Sequence, residues 1–197
     1  MRGLAADTAY LRSVLAAVDG PVVLVGHSYG GGVSGAAVGN SRVQALVCIA
    51  AFTPDKSESA AELAAKFSGS TLGDTVNPQS YPLPGGGTGT ELVIDRAKFH
   101  RQIAADVPTA DAAFMAAAQR PVATAALEEK AGKAAWKTIP SRALITTADK
   151  NIPPAAGRWM ARRAGSHVTE VDASHAVAVS RPAVVADVIL DAVRATR

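Results

Sequence analysis

A serine flanked by glycines is the residue of this chain best placed to do chemistry. The segment Gly26–Gly30 reads Gly-His-Ser-Tyr-Gly and joins the apolar run Pro21–Val25 to the small residues Gly30–Ala37. A strand, a Gly-x-Ser-x-Gly turn and a helix in this order place the serine on a sharp turn, with its Oγ above a sheet. We predict that Ser28 is a nucleophile and that the backbone N–H of Tyr29 helps to bind an oxyanion. A bulky residue in place of either flanking glycine is expected to clash with the strand and the helix.

A serine hydroxyl is too basic to attack at neutral pH, so a general base must accompany it. His175 is the best candidate, because it lies four residues beyond the last predicted strand, at the carboxyl end of the sheet. His27 precedes the nucleophile and is directed away from it. The two others are less well placed, since His100 lies in a polar helical stretch and His167 opens a strand. We therefore predict that His175 is the base.

A carboxylate is needed to orient the imidazole of that base. In this type of architecture the chain order is serine, acid, histidine. Asp149 fits, because it follows the penultimate predicted strand and precedes His175. Asp55, which follows an earlier strand, is the alternative, whereas Asp172 is too close to His175 in sequence to reach its Nδ1. The prediction is Asp149, with Asp55 left open.

Before residue 54 and after residue 140, short apolar runs are followed by segments with helical periodicity. This order predicts a parallel sheet with right-handed crossovers and helices on both faces, with ligands bound beyond the carboxyl ends of the strands. The predicted strands are Val22–Val25, Val43–Ala50, Arg142–Thr147 and His167–Val171. The predicted helices are Leu4–Val18, an elbow helix to about Gly39, Pro153–Ala164 and Arg181–Val193.

Residues 54–140 have a different character and predict an inserted, mainly helical cap within a single domain of residues 1–197. Helical stretches are predicted at Ser59–Phe67, Arg96–Val107, Ala110–Gln119 and Val122–Lys130. A Pro/Gly-rich patch, 77–90, lies between them; its segment Gly85–Thr90 is predicted to be a flexible loop, and a short strand is predicted at 92–94. The residues predicted to line a substrate pocket are His27, Phe52, Phe114 and Met115. Phe67, Tyr81 and Phe99 are suited equally to the pocket and to packing the cap onto the sheet.

Composition excludes several classes of function. The 197 residues carry a formal net charge of +3, and the basic residues are scattered, unlike those of a nucleic-acid-binding tract. No apolar stretch is long enough to span a membrane, and the N-terminus lacks the apolar core of a secretory signal. Cys48, the single cysteine, stands in an apolar run, which predicts a buried thiol. We expect a cytoplasmic protein with neither a nucleic-acid partner nor a membrane partner.

Several segments resemble the small bacterial α/β-hydrolases related to plant methyl esterases and hydroxynitrile lyases. They are Gly26–Gly32, Gln119–Pro121, Trp136–Ser141, Asp149–Pro154 and Ser174–Val177, and the likeness extends over essentially the whole chain. The resemblance implies an α/β-hydrolase fold and a serine esterase that cleaves the carboxylic ester of a small, largely apolar substrate through an acyl-enzyme. It implies no cofactor and no metal.

Two residues argue against particular activities found among the α/β-hydrolases. The lyases typically place a lysine directly after the catalytic histidine, and here that residue is Ala176, which argues against cyanohydrin cleavage. Dehalogenases and epoxide hydrolases place an aspartate at the elbow, where this chain has Ser28.

The resemblance also has a gap at the N-terminus. Such hydrolases carry several strands before the first helix seen here, and a His-Gly-type loop that supplies a second oxyanion N–H group. We expect an N-terminally truncated domain with about four core strands and weak activity, and the truncation would also have removed any signal peptide. Strand Val22–Val25 would then have an unpaired edge, which predicts a homo-oligomer or an aggregation-prone monomer. A non-catalytic small-molecule-binding protein of the same fold is the alternative function.

Overall fold

The computed structural model describes residues 1–196, which form a central parallel sheet, a smaller antiparallel sheet and helices around them. The strands are β1 (Val22–His27), β2 (Val43–Ile49), β3 (Val76–Pro82), β4 (Thr88–Ile94), β5 (Val122–Ala123), β6 (Ser141–Thr146) and β7 (His167–Val171). The helices are α1 (Leu4–Ala16), α2 (Gly30–Val33), α3 (Ala60–Ala65), α4 (Arg96–Ile103), α5 (Thr109–Ala118), α6 (Thr124–Glu128), α7 (Pro154–Ala164), α8 (Val177–Ser180) and α9 (Pro182–Arg194). Single 3₁₀ turns occupy Ser34–Ala37, Leu72–Thr75 and Ala135–Lys137.

The central sheet has the strand order β1-β2-β6-β7, and all its neighbouring strands are parallel. Strand β2 is buried on both faces, which explains its unalternating apolar sequence. On one face Val47 packs with Leu144 of β6 and Val188 of α9. On the other face Leu46 packs with Leu15 of α1. The predicted parallel sheet of four strands with helices on both faces is therefore confirmed.

Strand β1 forms an edge of the central sheet. Within residues 1–196 it pairs with β2 alone, and its burial is only partial, with Val25 39% exposed. Helix α1 packs Leu4 and Leu15 inward but leaves Tyr10 and Val14 exposed. Leu11 is half-buried against the same cluster as Leu15, whereas Val18 is exposed like Val14, so this helix buries only part of its apolar side chains.

The stretch 77–90 is most of a β-hairpin, and the flexible loop predicted at Gly85–Thr90 is a turn only as far as Gly87, because Thr88 already begins β4. Strands β3 and β4 pair in antiparallel fashion over seven residue pairs, and Gly85, Gly86 and Gly87 take φ values of 96°, 101° and 82° in the turn. Proline is tolerated in β3 because this strand pairs on one side only and leaves the other side free of ladder hydrogen bonds. The short strand predicted at 92–94 is the end of a longer one.

The third strand of the small sheet corrects one predicted helix. The residues Val122 and Ala123 pair with β4, and only Thr124–Glu128 is helical in the stretch predicted as a helix from 122 to 130. Elsewhere in residues 54–140, Ser59 caps the start of helix α3. The side chains of Ser59 and Glu62 each accept a hydrogen bond from the other residue's backbone N–H, which forms a capping box.

Candidate active site

The backbone at Ser28 is strained in the way that a nucleophile turn requires. Ser28 has a φ of 55°, in the left-handed region that disfavours residues with a side chain. Its N–H lies 3.2 Å from the carbonyl oxygen of Ile49 and 3.1 Å from that of Ala50, and its carbonyl oxygen accepts the N–H of Phe52 at 3.1 Å. The turn is thus held by backbone groups at the end of β2, and the serine hydroxyl is left free to react.

The predicted need for small residues around the serine holds at one glycine and shifts at the other. A Cβ on Gly26 would lie 2.6 Å from the carbonyl oxygen of Gly30, which confirms the predicted clash. A Cβ on Gly30 would meet no atom within 4 Å, so that part of the prediction is wrong. The constraint falls instead on Gly31, where a Cβ would lie 2.2 Å from the carbonyl oxygen of Phe52. The close contact is therefore made by Gly31, the second residue of α2, with the segment that follows β2.

Asp149 and His175 form a buried pair at the carboxyl end of the sheet. The Nδ1 of His175 lies 2.7 Å from Oδ2 of Asp149, and each residue is 5% exposed. Because a carboxylate only accepts hydrogen bonds, Nδ1 carries the ring proton. In the neutral ring, Nε2 then has a free lone pair and can accept a proton from another group. This is the tautomer that a general base needs.

Four hydrogen bonds converge on the carboxylate of Asp149. Oδ2 accepts from Thr146 Oγ1 at 3.0 Å as well as from His175. Oδ1 accepts from the backbone N–H groups of Asn151 at 2.8 Å and Ile152 at 3.0 Å. Burial alone would raise the pKa of Asp149, but the hydrogen bonds from His175 and the two backbone groups outweigh it and hold that pKa below its ordinary value. Asp149 is therefore ionised at neutral pH.

The alternative acid lies elsewhere. The carboxylate of Asp55 forms an ion pair with Lys137, whose Nζ lies 2.6 Å away. The structure therefore brings Asp149, and not Asp55, to His175.

A cavity of about 260 Å³ opens above the elbow between the sheet and residues 54–140. Ser28, Tyr29 and His175 all lie on its wall. Apolar side chains form most of the remaining lining: Phe52, Leu72, Val76, Leu92, Ile94, Phe99, Ile103, Val122, Leu127 and Ile152. The polar residues Gln119, Arg120 and Asn151, together with Met1 and three alanines of α3, complete it. The candidate nucleophile Ser28, the candidate base His175 and the apolar wall thus share one space.

Only one of the four predicted pocket residues lines this cavity. Phe52 does so, whereas Phe114 is 75% exposed on α5, so its prediction is wrong. Helix α5 buries Ala112 and Ala116, which lie four residues apart, and this face turns Phe114 outward. Met115 packs against the cluster formed by α4 and α5 and is also absent from the lining.

His27 packs against His175 instead of lining the cavity. Its Nε2 lies 2.9 Å from the backbone carbonyl oxygen of His175, and the two ring centroids are 4.6 Å apart. Although His27 keeps solvent contact, the atoms packed around its ring, and next the neighbouring His175, lower its pKa to about 4. A neutral His27 then donates its Nε2–H to that carbonyl oxygen and supports the loop that carries His175.

Sequence reasoning missed the part of the wall that the hairpin supplies. Val76, Leu92 and Ile94 come from β3 and β4, and the alternation of Leu92 with Ile94 was the signal that a strand presents one face to a cavity. Asn151 was also missed, because nothing in its local sequence distinguishes it from an ordinary loop residue.

The Tyr29 backbone N–H is available at the start of α2. No acceptor within residues 1–196 takes it, while the phenol of Tyr29 donates to Asp7 at 3.0 Å.

In the same described part of the chain, no group of three or more His, Cys, Asp or Glu side chains could hold a metal ion. None of the helices described is long and apolar enough to cross a membrane.

Several solved structures have a similar fold. Polyneuridine aldehyde esterase is 21% identical, with a TM-score of 0.78, over 93% of this chain and 77% of that protein. A pyrethroid hydrolase from Sphingobium faniae is 19% identical, with a TM-score of 0.72, over 96% of this chain and 77% of the other. A methylesterase from Arabidopsis is 17% identical, with a TM-score of 0.74, over 93% and 75%. At these identities the likeness establishes the fold alone.

No curated protein matches this sequence. The model of the alpha/beta hydrolase family matches residues 2–188, which is nearly the whole chain. Together with the parallel sheet and the strained serine turn, this match shows that the chain belongs to the alpha/beta hydrolase family.

Proposed function

We propose that this protein is a serine hydrolase that cleaves the carboxylic ester of a small, largely apolar substrate. One observation carries the proposal. A serine in a strained turn and a histidine paired with a buried carboxylate lie on the wall of the same apolar cavity. The names of the similar structures, which include esterases and a pyrethroid hydrolase, support the same class of reaction.

The reaction would proceed in two halves. In the first, Ser28 Oγ attacks the acyl carbon and gives its proton to Nε2 of His175, while the Tyr29 N–H stabilises the oxyanion of the tetrahedral intermediate. When that intermediate collapses, the C–O bond to the alcohol breaks and His175 returns the proton to the departing oxygen. In the second half, water gives a proton to His175 and attacks the acyl-enzyme, and the carboxylic acid leaves as Ser28 regains its proton. Asp149 remains ionised throughout and holds the imidazole.

The nucleophile is tested with a fluorophosphonate probe, which labels activated serines. We expect the wild-type protein to be labelled and Ser28→Ala to remain unlabelled, because only an activated hydroxyl attacks the phosphorus. Circular dichroism on both proteins establishes that they are folded. Equal labelling of the variant, or no labelling of a folded wild type, would show that Ser28 is not the nucleophile.

A panel of p-nitrophenyl esters with acyl chains of increasing length separates this proposal from the alternative of a binding protein. An enzyme releases p-nitrophenol, whereas a binding protein is stabilised against heat by the ester without releasing it. The cavity of about 260 Å³ favours short acyl chains. Stabilisation without hydrolysis across the panel would favour the binding protein.

A further inference from the structure

We propose that Gln102, a buried residue of α4, is a positioning residue for catalysis, because it holds the loop that carries Asp149 in register with the loop that carries His175. Gln102 is 2% exposed and does not line the cavity, so it acts on the reaction without touching the substrate. The inference rests on the proposed esterase function and adds a residue of α4 to the groups on which that reaction depends.

The side chain of Gln102 binds the loop that follows Asp149. Its Nε2 lies 2.9 Å from the backbone carbonyl oxygen of Lys150, which can only accept, so this end of the amide is the donor. The same Nε2 donates to Oδ1 of Asn151 at 3.0 Å. At the other end, Oε1 accepts from Thr71 Oγ1 at 2.9 Å. Both polar atoms of the Gln102 amide are therefore engaged, which fixes its orientation.

This contact reaches the catalytic pair through Asn151. The side chain of Asn151 is held by Gln102, while its backbone N–H donates to Oδ1 of Asp149 at 2.8 Å. The other carboxylate oxygen, Oδ2, accepts from His175 Nδ1 at 2.7 Å. Three hydrogen bonds in succession thus connect Gln102 with the imidazole. A displacement of the acid loop is therefore passed to the ring and moves its Nε2.

The residue next to Gln102 holds the other catalytic loop. The backbone carbonyl oxygen of Ile103 accepts the N–H of Ala176 at 2.9 Å, directly after His175. Ala176 is also buried in the apolar cluster of α4 and α5, together with Phe99. Because Gln102 and Ile103 are consecutive, the hydrogen bonds from Gln102 to His175 and from Ala176 to Ile103 close a ring.

A closed ring fixes a distance that the sheet alone leaves to two loops. Asp149 follows β6 and His175 follows β7, and each strand positions only the start of its loop. A nucleophile and its base react efficiently only in a narrow range of geometry, and a displacement of about 1 Å can cost about 100-fold in rate. Gln102 therefore contributes to kcat through the placement of His175, and not to substrate binding.

The test compares Gln102→Met with a matched control on the same helix, His100→Leu. Methionine has a similar length and makes none of the hydrogen bonds of Gln102. His100 Nε2 also donates to a backbone carbonyl oxygen, that of Val107 at 2.9 Å, but Val107 belongs to neither catalytic loop. With p-nitrophenyl esters, we expect Gln102→Met to lower kcat about 10-fold to 100-fold and to change KM less than about twofold. His100→Leu should change neither constant by more than about twofold.

A second readout follows the hydrogen bond between Asp149 and His175 directly. The Nδ1 proton of an imidazole bonded to a carboxylate gives a proton NMR resonance far downfield of the amide protons, and its absence from Asp149→Asn assigns it. We expect Gln102→Met to shift or broaden this resonance and His100→Leu to leave it unchanged. A residue that only stabilises the fold changes neither the resonance nor the kcat of the folded protein.

Circular dichroism establishes that each variant is folded. If Gln102→Met does not fold, Gln102→Asn replaces it, because asparagine shortens the amide by one CH₂ and leaves a polar side chain in place.

The outcomes separate the two proposals. An unchanged resonance in the Gln102 variant overturns the inference whatever its rates are. A kcat that falls no further than that of His100→Leu overturns it as well, and so does a loss that appears in KM alone. In each of these cases the esterase stands if wild type hydrolyses the esters. If wild type hydrolyses none of them, the esterase proposal fails, and the resonance, which requires no turnover, alone decides whether Gln102 positions the pair.

Discussion

The carboxylate of Asp149 illustrates how much one buried residue can determine. Its two oxygens accept four hydrogen bonds, from Thr146, His175 and two backbone groups. An asparagine in its place has one oxygen and one NH₂ group, so it would present a donor where His175 Nδ1 now donates. The imidazole would then adopt the tautomer with the proton on Nε2, which cannot accept the proton of Ser28.

We therefore expect Asp149→Asn to lower kcat for p-nitrophenyl ester hydrolysis by about 10³- to 10⁴-fold, with the fold preserved. The matched control is Asp55→Asn, which removes an ion pair to Lys137 at a partly exposed site and should change kcat little. Circular dichroism on both variants checks that they are folded. The opposite ranking of the two variants would assign the acid to Asp55.

The same variant has a consequence for stability as a function of pH. Because the folded-state pKa of Asp149 lies below its ordinary value of 3.8, the folded protein favours the charged form. The resulting stabilisation is fully present above that ordinary value and is lost as pH falls through the folded-state pKa. Urea unfolding should give wild type a larger stability advantage over Asp149→Asn at pH 7 than at pH 3. An advantage that does not change between these pH values would mean that Asp149 is not stabilised in its charged form.

Among single residues, chain order predicts more than local context does. The order of serine, aspartate and histidine led to Asp149 and His175, which are hydrogen-bonded in the structure. The position of Asn151 on the cavity wall could not be predicted, because its side chain is held by Gln102, which lies 49 residues away in sequence. Phe114 was misplaced for a related reason, since the alanine-rich helix α5 carries no apolar stripe that shows which face is buried.

At the scale of elements, the turn at Ser28 is where strand, helix and the neighbouring strand meet most closely. Gly31 at the start of α2 lies against the carbonyl oxygen of Phe52, whereas the adjacent Gly30 has open space. The two glycines are consecutive and share one short helix. They therefore form a matched pair for testing the packing of the elbow.

We expect Gly31→Ala to lower the free energy of unfolding by about 1–3 kcal/mol, because a backbone carbonyl cannot move aside as a flexible side chain can. Gly30→Ala should be neutral or stabilise the protein by up to about 1 kcal/mol, since alanine is the better helix former. Urea denaturation monitored by circular dichroism measures both. Equal effects of the two substitutions would mean that the close approach at Gly31 is relieved by a shift of the turn.

Elements were predictable from sequence where burial on two faces dictated their composition. Strands β2 and β6 each contain an uninterrupted apolar run, Ala45–Ile49 and Ala143–Ile145, and both strands were predicted to within one or two residues. The hairpin of β3 and β4 was not predicted, because its prolines and glycines are also typical of loops. Those residues are compatible with strands here only because β3 pairs on one side and the glycines take positive φ in the turn.

At the scale of the whole molecule, the unpaired edge of β1 is the exposed feature with the clearest consequence. This edge offers backbone N–H and C=O groups next to Val25, which is 39% exposed. Exposed strand edges pair with other chains unless they are covered or charged. We propose that the 197 residues expressed alone associate through β1.

Light scattering at increasing concentration tests this, because the mass should exceed that of a 20.0 kDa monomer. Val25→Lys places a charge at the edge and should shift the protein toward the monomer. Phe114→Lys removes a still more exposed apolar side chain, on α5 and not on β1, and should not. A monodisperse wild-type monomer at high concentration would contradict the proposal, and would indicate that α1 covers the edge.

The left-handed backbone at Ser28 also links the chemistry of the protein to its folding. The groups that hold this turn, the carbonyl oxygens of Ile49 and Ala50 and the N–H of Phe52, belong to a different strand and its following residues. A peptide containing only the Gly-His-Ser-Tyr-Gly segment would relax to an ordinary conformation and lose the geometry of a nucleophile. The proposed reactivity of Ser28 therefore requires that β1 and β2 have paired, and we expect a chain that has collapsed without this pairing to be unlabelled by a fluorophosphonate, however compact it is.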